Sequence, residues 1–212
     1  MRISRKDYEK ARANYKKNYE LLNQTLYDLC KNHPDHRDMS DINAKLWIIG
    51  RTLAMGIERL ILSLGEESPL EELANHMFRN RKTIESIFER LSPITEPLDP
   101  EKLKVIVTEH GRFVELIAQK LRKNRSPRSF ASKYMHFHCP TVPIYDSYAS
   151  KELFRSYRWN DRYEIFERPA GADETYYYFI LYFWQLYQNF KKSVKTEVRL
   201  LDCYLLWRAD ES

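Results

Sequence analysis

Turn punctuation is scarce in this chain, with five glycines and nine prolines among 212 residues. A sheet protein needs a turn about every 8–12 residues. Here, instead, apolar residues recur at steps of three and four over long stretches. Tyr8, Ala11, Tyr15, Tyr19, Leu22, Leu26 and Leu29 predict one helix from Ser4 to about His33, ended by Pro34. Ile42, Leu46, Ile49, Leu53, Ile57 and Leu60 predict a second, capped by Ser40 and running to Leu64. The expected fold class is all-α.

The remaining helices are marked by caps and prolines. Ser68-Pro69 opens a third helix that breaks near Asn80 and resumes to Leu91. Asp99-Pro100 opens one that reaches Lys123, with Gly111 in its middle marking a close contact. Asp173 caps a helix to about Lys192 that is apolar on nearly every side, and Lys195 to Trp207 forms the last. Residues 156–173 show no clean period and read as an irregular surface segment. The whole chain reads as a single domain, and the proline-rich segment 92–100 is where it would divide into two lobes.

The net charge is +5, but it is not spread evenly. Between Glu115 and Asp146 there is no acidic residue, while Lys120, Arg122, Lys123, Arg125, Arg128 and Lys133 are basic, which leaves the rest of the chain at −1. A local basic patch of this kind suits the phosphate backbone of nucleic acid. Cys30, Cys139 and Cys203 are scattered and odd in number, which argues against a disulfide framework and for a reducing, cytoplasmic compartment. The longest apolar run, Tyr176 to Trp184, is too short to span a bilayer. A soluble monomer is expected. His136, His138 and Cys139 lack the spacing of a zinc site, and no glycine-rich phosphate loop or dinucleotide pattern occurs, so no metal or cofactor is expected.

The densest motif lies inside the basic patch. Arg125 to Lys151 reads R-S-P-R-S-F-A-S-K-Y-M-H-F-H-C-P-T-V-P-I-Y-D-S-Y-A-S-K. Ser126 and Pro127 predict a helix start, and Phe130, Tyr134 and Phe137 share one face of a helix ending near His138. A loop bounded by prolines follows, and Asp146-Ser147 caps a second helix to Arg155. The unit is helix, tight loop, helix, with Lys133 on the first helix and Asp146 at the mouth of the second.

This layout resembles the catalytic segment of the helix-hairpin-helix DNA glycosylases, the 8-oxoguanine glycosylases among them. In that family a G-x-G-x-K helix precedes a proline-bearing loop and an aspartate-capped helix. Ser129 and Ala131 stand here where the family has glycines. The resemblance implies a two-lobed helical fold and a DNA glycosylase that excises a damaged or modified base, in DNA repair or antiphage defence. It assigns Lys133 as nucleophile or orienting amine and Asp146 as its electrostatic partner.

The chemistry is consistent with those residue types. Breaking the bond between base and sugar C1′ builds positive charge that a carboxylate stabilises, and a lysine attacks only when neutral. The surrounding cations are expected to lower the Lys133 pKa. Arg122, Lys123, Arg125, Ser126, Arg128, Ser129 and Ser132 are the candidates for phosphate contact. Arg51, Tyr134, His136 and Tyr145 are the candidates for the base pocket, with Arg51 and Glu58 read either as a buried ion pair or polar network or as a pocket floor. Two other readings compete: a helical module that binds nucleic acid without chemistry, and an interaction protein using its aromatic C-terminal helices.

Overall fold

The computed structural model describes residues 5–53, 56–62, 68–123, 125–156, 163–191 and 198–210. These residues form helices α1 (Arg5–Asn18), α2 (Glu20–Asn32), α3 (Met39–Ile48), α4 (Ile57–Leu60), α5 (Pro69–Arg79), α6 (Arg81–Leu91), α7 (Pro100–Ala118), α8 (Arg128–His138), α9 (Ser147–Ser156), α10 (Glu174–Lys191) and α11 (Val198–Asp210). A π-helical turn, Ile49–Leu53, continues α3. Among the described residues the only strand-like pairing is one isolated bridge, Ile61 to Leu121. The expected all-α class is met. The expected starts at Ser4 and Lys195, the expected ends at Leu64 and Lys192, and residues 157–162 of the irregular segment lie outside the described residues.

Several helix ends follow the side chains that cap them. Ser68 and Glu71 form a capping box at α5, and Asp99 accepts from the Lys102 amide at α7. Asp173 accepts from the Tyr176 amide at 2.8 Å to start α10. α3 is capped by Asp38, which accepts from the Ser40 amide, and not by Ser40 itself. Ser126 does not cap α8: the helix begins at Arg128, and the Ser126 hydroxyl donates instead to Asp173 at 3.2 Å.

Two long helices expected from periodicity are bent or broken. The first kinks at Tyr19 while its hydrogen bonds continue, Tyr19 N–H to Tyr15 O at 2.8 Å and Asn23 N–H to Tyr19 O at 3.0 Å. α1 thereby packs on α11, while α2 packs on α8. No glycine or proline forces this kink, so tertiary packing sets it. The second ends its α-helical part at Ile48, passes through the π turn, and reaches Gly56 at φ 121°, a left-handed conformation that glycine adopts without strain. From there the chain pairs with the end of α7's strand-like extension, where Leu62 N–H donates to Lys120 O and Arg122 N–H donates to Leu60 O.

Buried apolar side chains from α1 to α11 join in one core. Segment 92–99 is tied to that core rather than hanging free. Leu98 N–H donates to the Tyr187 hydroxyl, Lys102 holds the Thr95 and Pro97 carbonyls, and Thr141 donates to the Ile94 carbonyl. Helix α8 is the most enclosed. Tyr134 is fully buried against Phe113 and Phe130, and its hydroxyl meets His36 Nε2 at 2.8 Å. His36 Nδ1 is held in turn by Glu85 at 3.0 Å.

Gly111 does mark a close contact. A Cβ at this position would stand 2.6 Å from the Gly171 carbonyl oxygen and 2.8 Å from the Ala172 Cα, both backbone atoms that cannot swing aside. Gly111→Ala is therefore expected to destabilise the protein by about 1–3 kcal/mol, as overpacking does. A lower Tm by calorimetry checks this.

Burial holds histidines neutral. It lowers His110 to about 4 and His136 to about 3, and it lowers His36, His76 and His138 as well. Such groups bind more protons unfolded than folded, so their contribution is present above about pH 6.5 and is lost as pH falls toward 4. Asp202, raised by burial to about 8, acts in the opposite sense, but it is one group against five. Thermal melts between pH 6.5 and 4.5 are expected to show Tm falling as pH falls.

Candidate functional site

The loop between α8 and α9 folds back so that Lys133 and Asp146, 13 positions apart in the chain, face each other. Ser132 does the folding. Its hydroxyl accepts from the Tyr145 amide at 3.0 Å and donates to the Ser129 carbonyl at 3.1 Å. His136 adds a second tie, with Nδ1 donating to the Val142 carbonyl at 2.7 Å and Nε2 accepting from the Tyr27 hydroxyl at 2.5 Å. Tyr176, from α10, donates its hydroxyl to the Pro143 carbonyl at 2.7 Å.

That turn brings Lys133 Nζ to 3.4 Å from Asp146 Oδ2. The other carboxyl oxygen, Oδ1, accepts from the Tyr148 amide at 2.9 Å, so one carboxylate both starts α9 and faces the lysine. Lys133 also donates to the Leu53 carbonyl at the end of the π turn. The side chains of Lys133 and Asp146 retain 13% and 23% of their exposure, which leaves them shielded but reachable. Burial lowers the Lys133 pKa, Asp146 opposes that, and Arg199 reinforces it. The cause is therefore desolvation and a cation from α11, not the basic residues that surround Lys133 in sequence.

Two cavities meet at this pair. The outer one, about 540 Å³, is lined by Leu53, Gly56, Ile57, Leu60, Ser126, Pro127, Ser129, Phe130, Ser147 and Tyr148 together with Lys133 and Asp146. The inner one, about 170 Å³, shares Thr52, Leu53, Lys133 and Asp146 with it and is closed by Tyr19, Asn23, Phe137, Ile144, Ala149, Arg199, Asp202 and Leu206. Lys133 and Asp146 thus stand in the wall between an open cleft and a small recess.

The candidate phosphate contacts separate into two groups. Arg122, Lys123 and Arg125 are exposed. The pairing of Arg122 with Leu60 sets it beside the outer cleft, and Arg125 precedes Ser126 in the cleft wall. Ser126 and Ser129 line that cleft. Arg128, by contrast, gives its guanidinium to Asp173 through Nε and Nη2, and Ser132 is fully buried in the turn described above. Both serve the architecture of the site.

The candidate base-pocket residues lie away from the cavities. Tyr134 and His136 are fully buried in the core with their polar atoms satisfied. Tyr145 packs edge-on against Phe179 with the Arg128 guanidinium over its ring. Arg51 pairs with Glu58 at 2.6 Å and lies over the Trp47 ring, so the two residues form an ion pair, but at the surface and not buried as expected. The exposed aromatic at the cleft is Tyr148, which keeps 72% of its exposure.

The recess contains groups that the sequence does not single out. Asn23 and Asp202 are 1% and 3% exposed. Asn23 Nδ2, both Asp202 carboxyl oxygens and Arg199 Nε have no hydrogen-bond partner of good geometry among the described residues. The Ile144 amide and Arg199 act to lower the Asp202 pKa, but burial outweighs them and raises it to about 8. A buried polar group left without a partner costs about 1–3 kcal/mol. Only tertiary folding unites Asn23, Arg199 and Asp202, since they come from α2 and α11. Among the described residues no group of three or more His, Cys, Asp or Glu side chains is placed to hold a metal ion, and no helix is long and apolar enough to cross a membrane.

No family model, curated protein or solved structure matches this chain. The site's chemistry therefore rests on its own geometry. A shielded amine with a lowered pKa, a carboxylate at a helix start, and a cleft with exposed cations at its edge together suit attack on an electron-poor carbon of an anionic substrate. Because burial favours its neutral amine, Lys133 is expected to react with an acylating reagent at lower pH than the exposed lysines. Mass-spectrometric mapping of labelled lysines across pH 7–10 checks this, with Asp146→Asn increasing the reactivity of Lys133 further.

Proposed function

We propose that the protein is a DNA glycosylase that excises a damaged or modified base at the Lys133–Asp146 pair, in DNA repair or antiphage defence. The observation that carries this reading is the 3.4 Å approach of Lys133 to Asp146 in the wall of a cleft bordered by exposed cations. The outer cleft takes the sugar-phosphate backbone, with Arg122, Arg125 and the serines Ser126 and Ser129 toward phosphate. A base turned out of the stack brings its C1′ to Lys133.

The reaction then needs three events. The bond between base nitrogen and C1′ breaks, its electron pair leaving with the base, which takes up a proton. Asp146 stabilises the positive charge that develops on the sugar. The neutral Lys133 amine forms the new bond to C1′ and releases a proton to solvent. Where Lys133 only orients a water, that water makes the bond and the product is an abasic site without an enzyme adduct.

The test is base release from duplex and single-stranded DNA carrying a panel of damaged and modified bases, followed by alkali to cut abasic sites. Lys133→Ala and Asp146→Asn are each expected to lower the rate by at least about 100-fold, the scale of a lost nucleophile or charge partner. Borohydride trapping of an adduct that requires Lys133 identifies the nucleophile. Salt-dependent DNA binding, weakened by Arg125→Ala, with no abasic site from any base would instead favour a binding module without chemistry.

A further inference from the structure

A third cavity borders the inner recess at Phe137 and Arg199. It holds about 650 Å³, and neither Lys133 nor Asp146 lines it. Its walls are aromatic: Tyr15 comes from α1, Tyr27 from α2 and Phe137 from α8, with Pro34 and Pro140 exposed at its edge. Tyr27 gives its hydroxyl to His136, which leaves its ring for the wall. A cavity of this volume, mostly apolar with a few polar groups, has the character of a small-molecule pocket.

The charged groups in the lining are both cations. Lys31 and Arg199 border the cavity, and among the described residues no Asp or Glu does. The ion pairs among the described residues use neither of them. Lys31 is exposed and Arg199 is half-buried. Arg199 Nε is enclosed without a partner, whereas Nη1 and Nη2 make no hydrogen bond among the described residues and are not enclosed. The guanidinium lies over the Tyr15 ring, 5.3 Å from its centroid, so charge and aromatic face adjoin in one wall. Asp202 acts on Arg199 from the recess side, but burial raises it to about 8 and so leaves it protonated at neutral pH. Burial also keeps His138, a further lining residue, neutral.

A guanidinium pairs by two nitrogens with the oxygens of a carboxylate or phosphate, and aromatic walls favour a flat apolar body. We propose that this cavity binds a small aromatic acid, with Arg199 pairing with its carboxylate or phosphate, Lys31 adding charge at the exposed edge, and Tyr15, Tyr27 and Phe137 packing on its ring. The site is separate from the Lys133–Asp146 pair and does not depend on the glycosylase reading.

The test titrates the full chain by calorimetry with benzoate, phenyl phosphate, inorganic phosphate and benzyl alcohol. Benzoate or phenyl phosphate is expected to bind, and the tighter of the two identifies the acid. Inorganic phosphate, which lacks the ring, and benzyl alcohol, which lacks the charge, are expected to bind more weakly by about tenfold or more. Arg199→Gln is expected to weaken the tighter acid by about tenfold or more, the scale of a lost charge-assisted pair, and Lys31→Gln by about twofold or more. Where Arg199→Gln does not fold, Lys31→Gln, at an exposed position, carries the test. No binding of either acid, a control probe binding as tightly as the acids, or acid binding unchanged in the variant that carries the test would overturn the inference. So would acid binding that Lys133→Ala removes and Arg199→Gln spares, because it places the ligand in the outer cleft.

Discussion

The rest of the structure depends on enclosing α8 while leaving one of its lysines a way out. Phe130, Tyr134 and Phe137 fasten the helix to the core, and Ser132 and His136 use their polar atoms to pull the following loop back across it. Lys133 keeps part of its surroundings open, where the two cavities meet. A rigid helix that is anchored on its other faces holds its amine in one place, as a reacting group requires. The Leu53 carbonyl and the Asp146 carboxylate then fix the amine from two further elements.

The clamp at Asp173 extends this anchoring to the basic edge. One carboxylate starts α10, binds Arg128 by two nitrogens and accepts from Ser126. The loop that presents Asp173 is seated on Gly111, where no larger residue fits. A glycine in α7 therefore helps to set the start of α8, although it lies far from Lys133 in sequence. Arg128 contributes order here, and Arg122, Lys123 and Arg125 carry the exposed charge.

The helical fold and the Lys133–Asp146 unit were legible in sequence because their signals are local. Proline and capping residues mark helix ends within a few positions, and the aromatic spacing of α8 marks its buried face. What was not legible depends on packing between distant segments. The kink at Tyr19 has no local cause, and Asn23, Arg199 and Asp202 look like ordinary helix residues until α2 and α11 are brought around one recess. Arg128 and Ser132 read as phosphate contacts by residue type, but Asp173 and Tyr145 had first claim on them. Tyr134 and His136 have the chemistry of a pocket wall and the burial of core residues.

The π turn has a consequence in chain length. A π-helical turn accommodates one residue more than an α-helical turn, and each residue rotates an α-helix by about 100°. Residues 49–53 thus carry an extra residue that sets the phase of everything after them. Deleting one residue there would let the helix run regularly and would turn the Leu53 carbonyl by roughly a quarter of a circle or more, away from Lys133. The seat of the amine is therefore written in the register of α3 as much as in the identity of any side chain. A substitution can preserve that register, but a deletion in this turn cannot.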